Sequence, residues 1–194
     1  MKDIPTLVAL SDKAYASRNF ERALALLDEI IEITPESADG LGSRDLRAMT
    51  YECGNVPSGI DHKKALSDYR YLADRSHLVG SVGLVGCARI LCQQNPKTNL
   101  DEARQLCLRA VEIDGDVRAK MLLGYMCADV TSDFKGARKW FISAFRGGSP
   151  WGLKYAAATF WRERKVAQAI VMSTTAKIAW HVLSSKRSSK SPYH

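Results

Sequence analysis

The chain is poor in everything that would announce a β-sheet, a catalytic centre or a cofactor site. No alternating apolar run bounded by hairpin turns occurs in its 194 residues, so an all-α fold is expected with little competition. The four histidines, His62, His77, His181 and His194, are scattered, and none sits in a His-Glu-x-x-His arrangement or in an evident catalytic pairing with a Cys, Ser or Asp. No glycine-rich phosphate loop follows a strand, because no strand precedes one. With no catalytic arrangement in view, neither an enzyme nor a bound cofactor is expected.

Other absences bear on location. The start, Met1-Lys2-Asp3-Ile4-Pro5, lacks the charged region, apolar run and small-residue cleavage site of a secretory signal, so a cytoplasmic location is expected. Five cysteines, Cys53, Cys87, Cys92, Cys107 and Cys127, are an odd number with no Cys-x-x-Cys. Most fall at core or near-core positions of helical patterns. They read as buried free thiols of a reducing compartment, and neither disulfides nor a metal is expected.

What the chain does have is a recurrence. Asn or Asp, a residue that is usually apolar, two variable residues and Ala appear in order at Asn19–Ala23, Asp61–Ala65, Asn99–Ala103 and Asp133–Ala137. Asn and Asp are preferred helix N-caps, because the side chain accepts a hydrogen bond from an orphan N–H of the first turn. Asn99 also has Glu102 at the third helical position, which predicts a capping box. After each Ala, apolar or small residues recur at plus four, seven and eight: Leu27, Ile30 and Ile31; Tyr69, Leu72 and Ala73; Cys107, Ala110 and Val111; Phe141, Ala144 and Phe145. That spacing makes one stripe on a helix, and the Ala lets a neighbour approach closely. Leu123-Gly124 follows Ala103, and Val85-Gly86 follows Ala65, at equal distances, so each motif helix is preceded by another. Breaks at Pro35, Arg75 to His77, Asp114-Gly115 and Gly147-Gly148-Ser149-Pro150 separate the pairs. Gly80, Gly83 and Gly86 read as close helix packing.

These residues resemble two related families. Residues 7 to 37 look like a tetratricopeptide repeat, with Leu10-Ser11, Ala23, Leu27, Ile30 and Pro35 at the motif positions. Later units are similar to Sel1-like repeats: Leu123-Gly124, Asp133, Ala137, Trp140, Phe141, Ala144 and Gly147 follow that family's order, and Gly54, Val56, Asp61, Lys64 and Ala65 carry part of it. The resemblance implies an all-α α-solenoid of stacked antiparallel helix pairs. One domain is expected over residues 1–184, with repeats near 5–37, 41–75, 78–113 and 116–148 and a terminal pair at 151–184. A disordered tail is expected at 185–194.

The resemblance also implies a binding face on the first helix of each pair. Carried onto this chain, it points to Leu46 and Thr50 (with Cys53), Cys87 and Ile90 (with Gly83), Met121 and Tyr125 (with Ala128 and nearby Arg118), and Tyr155, Thr159 and Arg162. Contact by fewer than half of these is expected, since hot spots are few and favour Tyr, Trp and Arg. The subtype that grips a C-terminal carboxylate uses Lys and Asn where this chain has Val8 and Asp12, which argues against chaperone-tail binding by that mechanism.

A protein-interaction module is therefore the leading expectation, an adaptor or assembly factor binding a protein partner. A dedicated inhibitor or immunity-type protein is the alternative within binding. The formal charge of +7 raises a nucleic-acid alternative, helped by Arg162, Arg164 and Lys165 near Trp151, Tyr155 and Trp161. The basic residues form no long stripe, three of them (Lys186, Arg187 and Lys190) lie in the Ser-rich end, and an acidic protein partner would use the same charge. Trp161 is expected to pack into the last pair. Residues 166–183 form an unusually apolar helix, but Gln168, Ser173, Thr174, Thr175, Lys177 and His181 argue against a membrane span. Covering the open end of the core is its expected task, and apolar residues on more than one side add a homodimer or partner contact.

Overall fold

The computed structural model describes residues 3–56, 58–75 and 79–188, with side chains described as far as Trp180. Among the described residues the structure is all-helical. Helices α1 (Ile4–Ala16), α2 (Phe20–Ile33), α3 (Ala38–Glu52), α4 (His62–Ala73) and α5 (Gly80–Gln94) belong to one compact unit, Met1–Gln94. A second unit, Asn95–His194, holds α6 (Leu100–Asp114), α7 (Val117–Tyr125) with a π-helical turn at Met126–Val130, α8 (Phe134–Arg146), α9 (Trp151–Arg162) and α10 (Val166–Ser188). Within each unit every helix packs mainly on its sequence neighbours. The boundary between units falls inside 78–113, the stretch assigned from sequence to one helix pair. Helix α10 runs five residues past Leu183, while Ser76, His77 and residues 189–194 of the expected tail lie outside the described residues.

Three of the four motif caps close as expected. Asn19 accepts from the Arg22 N–H at 3.2 Å, Asp61 from Lys64 at 3.0 Å and Asp133 from Gly136 at 2.9 Å. Asn99 stands at the N-cap of α6 but its side chain makes no cap hydrogen bond, so the capping box with Glu102 does not form. Its backbone, at φ −96° and ψ 8°, is not in the extended conformation that aims a cap side chain at the first turn. Ser37 and Asp116 add caps that the motif did not contain, to α3 and α7.

The four motif alanines, Ala23, Ala65, Ala103 and Ala137, are fully buried, as are Ile30, Leu72, Cys107, Ala110 and Ala144 of the stripes. The aromatic at plus four sets close contacts between helices in both units. A methyl group built on Gly86 of α5 would stand 2.4 Å from the ring of Tyr69, and one on Gly83 would stand 2.4 Å from the Tyr69 carbonyl oxygen. In the second unit Phe141 repeats the arrangement: its ring lies 2.4 Å from a methyl built on Gly124 of α7, and its carbonyl oxygen 2.2 Å from one built on Gly152 of α9. No larger side chain fits at these four places without moving backbone or ring. In the first pair the corresponding residues are Ser11 and Leu27, both buried.

Helix α10 covers less than expected. It packs on α9, yet among its described residues Ala169 alone is fully buried, and Val166, Ile170, Val171, Ile178 and Trp180 are exposed. Trp161, expected to pack inward, is 49% exposed. Cys53, at the C-cap of α3, is exposed, whereas Cys87 and Cys107 are buried. No described helix is long and apolar enough to cross a membrane.

Gly86→Ala is expected to destabilise by about 1–3 kcal/mol through overpacking against Tyr69. Gly42, also helical but with nothing within 4 Å of a built methyl group, is the control; Gly42→Ala should stabilise by about 0.5–1 kcal/mol. Urea unfolding of both variants reads the two opposite signs.

Candidate functional site

Charged residues that carry no apolar pattern hold the first unit's helices in register. Arg47 of α3 donates from Nε and Nη2 to the Asp68 carboxylate of α4, at 2.8 and 2.6 Å, and from Nη1 to Asp28 of α2 at 2.5 Å. Asp68 is 3% exposed, so removing Arg47 would strand most of a buried charge. Buried Glu52 of α3 accepts from the Tyr69 hydroxyl at 2.9 Å, from Arg89 Nε and Nη2 of α5 at 2.5 Å each, and from Gln93 at 3.1 Å. Burial pushes the Tyr69 hydroxyl well above its ordinary range; the Arg89 cation opposes this and the Glu52 carboxylate adds to it. Tyr69 thus stays a neutral donor while its ring rests on Gly86.

At one edge of this unit Glu36 accepts from Arg75 Nε and Nη2 at 2.7 and 2.6 Å and from the Tyr71 hydroxyl. The guanidinium carbons of Arg75 and Arg44 lie 3.4 and 3.7 Å from the Tyr71 ring centre. The Arg75 hydrogen bonds, with that from Tyr71, lower the Glu36 carboxyl to about 2.

The face formed by the first helices, α1 and α3, holds a cavity of about 220 Å³. Leu46, Val8 and Asp12 line it with Asp39 and Ser43, over a floor of Leu27 and Ile30. Asp12 and Asp39 give this space an acidic character. Of the expected pair here, Leu46 is half-buried at the cavity and Thr50 is fully buried, donating to the Leu46 carbonyl at 2.7 Å.

The second unit brings three of the expected residues together. Tyr125 of α7 and Tyr155 of α9 meet edge to face with ring centres 5.0 Å apart, and Phe141 lies beneath both at 5.4 and 5.7 Å. Met121 packs against the same cluster, and all three expected residues are half-buried. Burial, then a hydrogen bond with Tyr155, pushes the Tyr125 hydroxyl well above its ordinary range. Arg162 borders the cluster, ion-paired with Asp129 of the π-helical turn, its guanidinium carbon 5.0 Å from the Phe134 ring centre. A π-helical turn directly after Tyr125 shifts the helical register beyond that residue, and such turns are frequent at functional sites.

Four of the expected contact residues are buried within the chain. Thr50, Cys87, Ile90 and Thr159 are each at most 6% exposed. Thr159 donates to the Ala156 carbonyl at 2.7 Å and receives Arg138 at 3.3 Å. The groove positions carried over from the resemblance assume an open face, and at these four the neighbouring chain covers the side chain. Arg118 stands at the start of α7, its side chain 53% exposed, with Nη2 2.7 Å from the buried cap residue Asp116. Among the described residues no group of three or more His, Cys, Asp or Glu could hold a metal ion.

Among the described residues these elements form an all-α fold of sequentially packed helices, an architecture shared with a solved tetratricopeptide-repeat structure. A thermophilic TPR protein of Thermus thermophilus superposes with a TM-score of 0.65 over 90% of this chain and 90% of its own, at 13% sequence identity. No family model matches the chain, and no curated protein matches it either.

Since the Glu36 carboxyl lies below its ordinary 4.5 in the folded chain, its pairing stabilises the fold fully above pH 4.5 and the gain is lost as pH falls towards 2. The stability difference between wild type and Glu36→Gln should be constant at neutral pH and shrink to nothing across that acidic window. Denaturant titrations at several pH values measure it.

Proposed function

We propose that this chain is a non-enzymatic protein-interaction module, an adaptor or assembly factor whose first-helix faces receive a segment or surface of another protein. The observation that carries it is the Tyr125–Tyr155 pair, half-exposed and propped on the buried Phe141 ring, with Met121 and Arg162 beside it. Tyr and Arg are enriched in binding hot spots, Tyr because it buries a large ring with few rotors and keeps a hydroxyl for hydrogen bonding, Arg because its planar fork makes several hydrogen bonds at once. The helical-repeat fold supports the same reading, as stacked helix pairs present side chains in rows for extended contact. We place the module in the cytoplasm, where five free thiols persist reduced.

A pull-down from the native host, read by mass spectrometry, tests the proposal when run beside Tyr125→Ala/Tyr155→Ala. Wild type should recover a protein partner, and the double variant should bind it at least about 30-fold more weakly, the effect of losing roughly 2 kcal/mol. Several components of one machine would favour an assembly factor, and one stoichiometric protein a dedicated adaptor or inhibitor. Recovery of nucleic acid alone, or a partner held equally by the variant, would overturn the assignment of this face.

A further inference from the structure

Charge in this chain is not spread evenly. Residues 151–194 hold eight of the 28 Lys and Arg but one of the 21 Asp and Glu, so this last segment accounts for the whole formal charge of +7. The single anion, Glu163, is engaged by Arg138 and by Lys165 Nζ, the latter at 3.2 Å. Apart from Ile60, the most exposed large apolar side chains among the described residues belong to the same segment: Val171 67%, Ile178 61%, Ile170 52%, Val166 50% and Trp161 49%.

The seam between α9 and α10 organises these features. Trp151, near the start of α9, and Trp180, on α10, stand with ring centres 5.4 Å apart and are 46% and 44% exposed. They flank a cavity of about 400 Å³ floored by Ala157 and Ala176 and edged by two cations, Lys154 and Lys177, with no acidic residue in its lining. Lys154 reaches over the Trp151 ring, its Nζ 4.9 Å from the ring centre. A space of this size suits one or two large side chains, and tryptophan walls favour their apolar part.

We propose that the α9–α10 seam is a docking groove for an acidic, amphipathic segment of another protein, whose apolar side chains enter between Trp151 and Trp180 while its carboxylates meet Lys154 and Lys177. This surface is separate from the Tyr125–Tyr155 face. Charge decides the occupant. A second copy docking through the same segment would set cations against cations, since no Asp or Glu lies between Arg164 and His194. The chain's own end fails for the same reason, with Lys186, Arg187 and Lys190 and no anion. A lipid surface needs one continuous apolar stripe with cations at its border. At 100° per residue, Thr174 and Lys177 fall on the exposed arc of α10 among Val166, Ile170 and Ile178, and break that stripe.

A displayed library of short random peptides, panned on the full chain, supplies the probe, and fluorescence anisotropy of the selected peptides supplies the affinity. Selected peptides should combine Leu or aromatic residues at helical spacing with an excess of Asp and Glu. Trp180→Ala and Lys154→Glu/Lys177→Glu should each weaken them by at least about tenfold, with unchanged helicity by circular dichroism. Panning the charge-reversed variant should select Lys and Arg instead. Tyr125→Ala/Tyr155→Ala should leave these affinities intact, which separates this groove from the other face. The proposal is overturned if no peptide is selected, if selected peptides show no acidic excess, or if both groove variants bind them unchanged. Tighter binding of phosphatidylserine vesicles or of a uridine oligonucleotide than of any peptide would also overturn it, as would a dimer in sedimentation that Trp180→Ala dissolves.

Discussion

A flat ring seated on a bare backbone is the contact on which the rest of this structure depends. Tyr69 and Phe141, each four residues after a motif alanine, lay their rings on Gly86 and Gly124, and their carbonyls on Gly83 and Gly152. Two helices come so close there that no Cβ fits between them. Glycine weakens a helix by roughly 0.5–1 kcal/mol relative to alanine, and the offset comes from burying a large aromatic on both sides. The contact also fixes rotation: once the ring is seated, the remaining faces of both helices are determined.

That rotation explains where charges and free aromatics lie. With Tyr69 turned onto Gly86, its hydroxyl reaches Glu52 and brings Arg89 and Gln93 with it, so α3, α4 and α5 share one buried carboxylate. With Phe141 turned onto Gly124, its other side supports Tyr125 and Tyr155 from beneath. The buried ring is structural and the two tyrosines above it remain half-exposed. Residues 151–194 obey a different rule, since α10 buries little of itself and carries its apolar surface outwards beside Lys154 and Lys177.

The helices and their pairing were legible because they rest on local signals. Asn19, Asp61 and Asp133 cap within their own turn, and the motif alanines follow from helical spacing alone. Asn99 shows the limit: the residue type was right, but its backbone conformation, which no spacing reveals, left the cap unmade. Exposure at the groove positions was not legible: Tyr125, Tyr155, Met121 and Leu46 are half-buried, whereas Thr50, Cys87, Ile90 and Thr159 are covered, because burial there depends on neighbours distant in sequence. Arg47–Asp68 and Arg89–Glu52 left no trace in the pattern for the same reason. The Trp151–Trp180 contact did leave one, since an antiparallel pair turning near Arg164-Lys165 brings together residues at similar distances from the turn. The uneven charge of the last segment was likewise open to counting.

The most direct test of the account is a double-mutant cycle on the ring and its glycine. Gly124→Ala and Phe141→Leu are measured singly and together by denaturant unfolding. If the ring on glycine sets the helix contact, the added methyl is costly with Phe141 present and at least about 1 kcal/mol less costly in the Phe141→Leu background, a coupling within the range for touching residues. A Gly124→Ala cost that is the same in both backgrounds would contradict it.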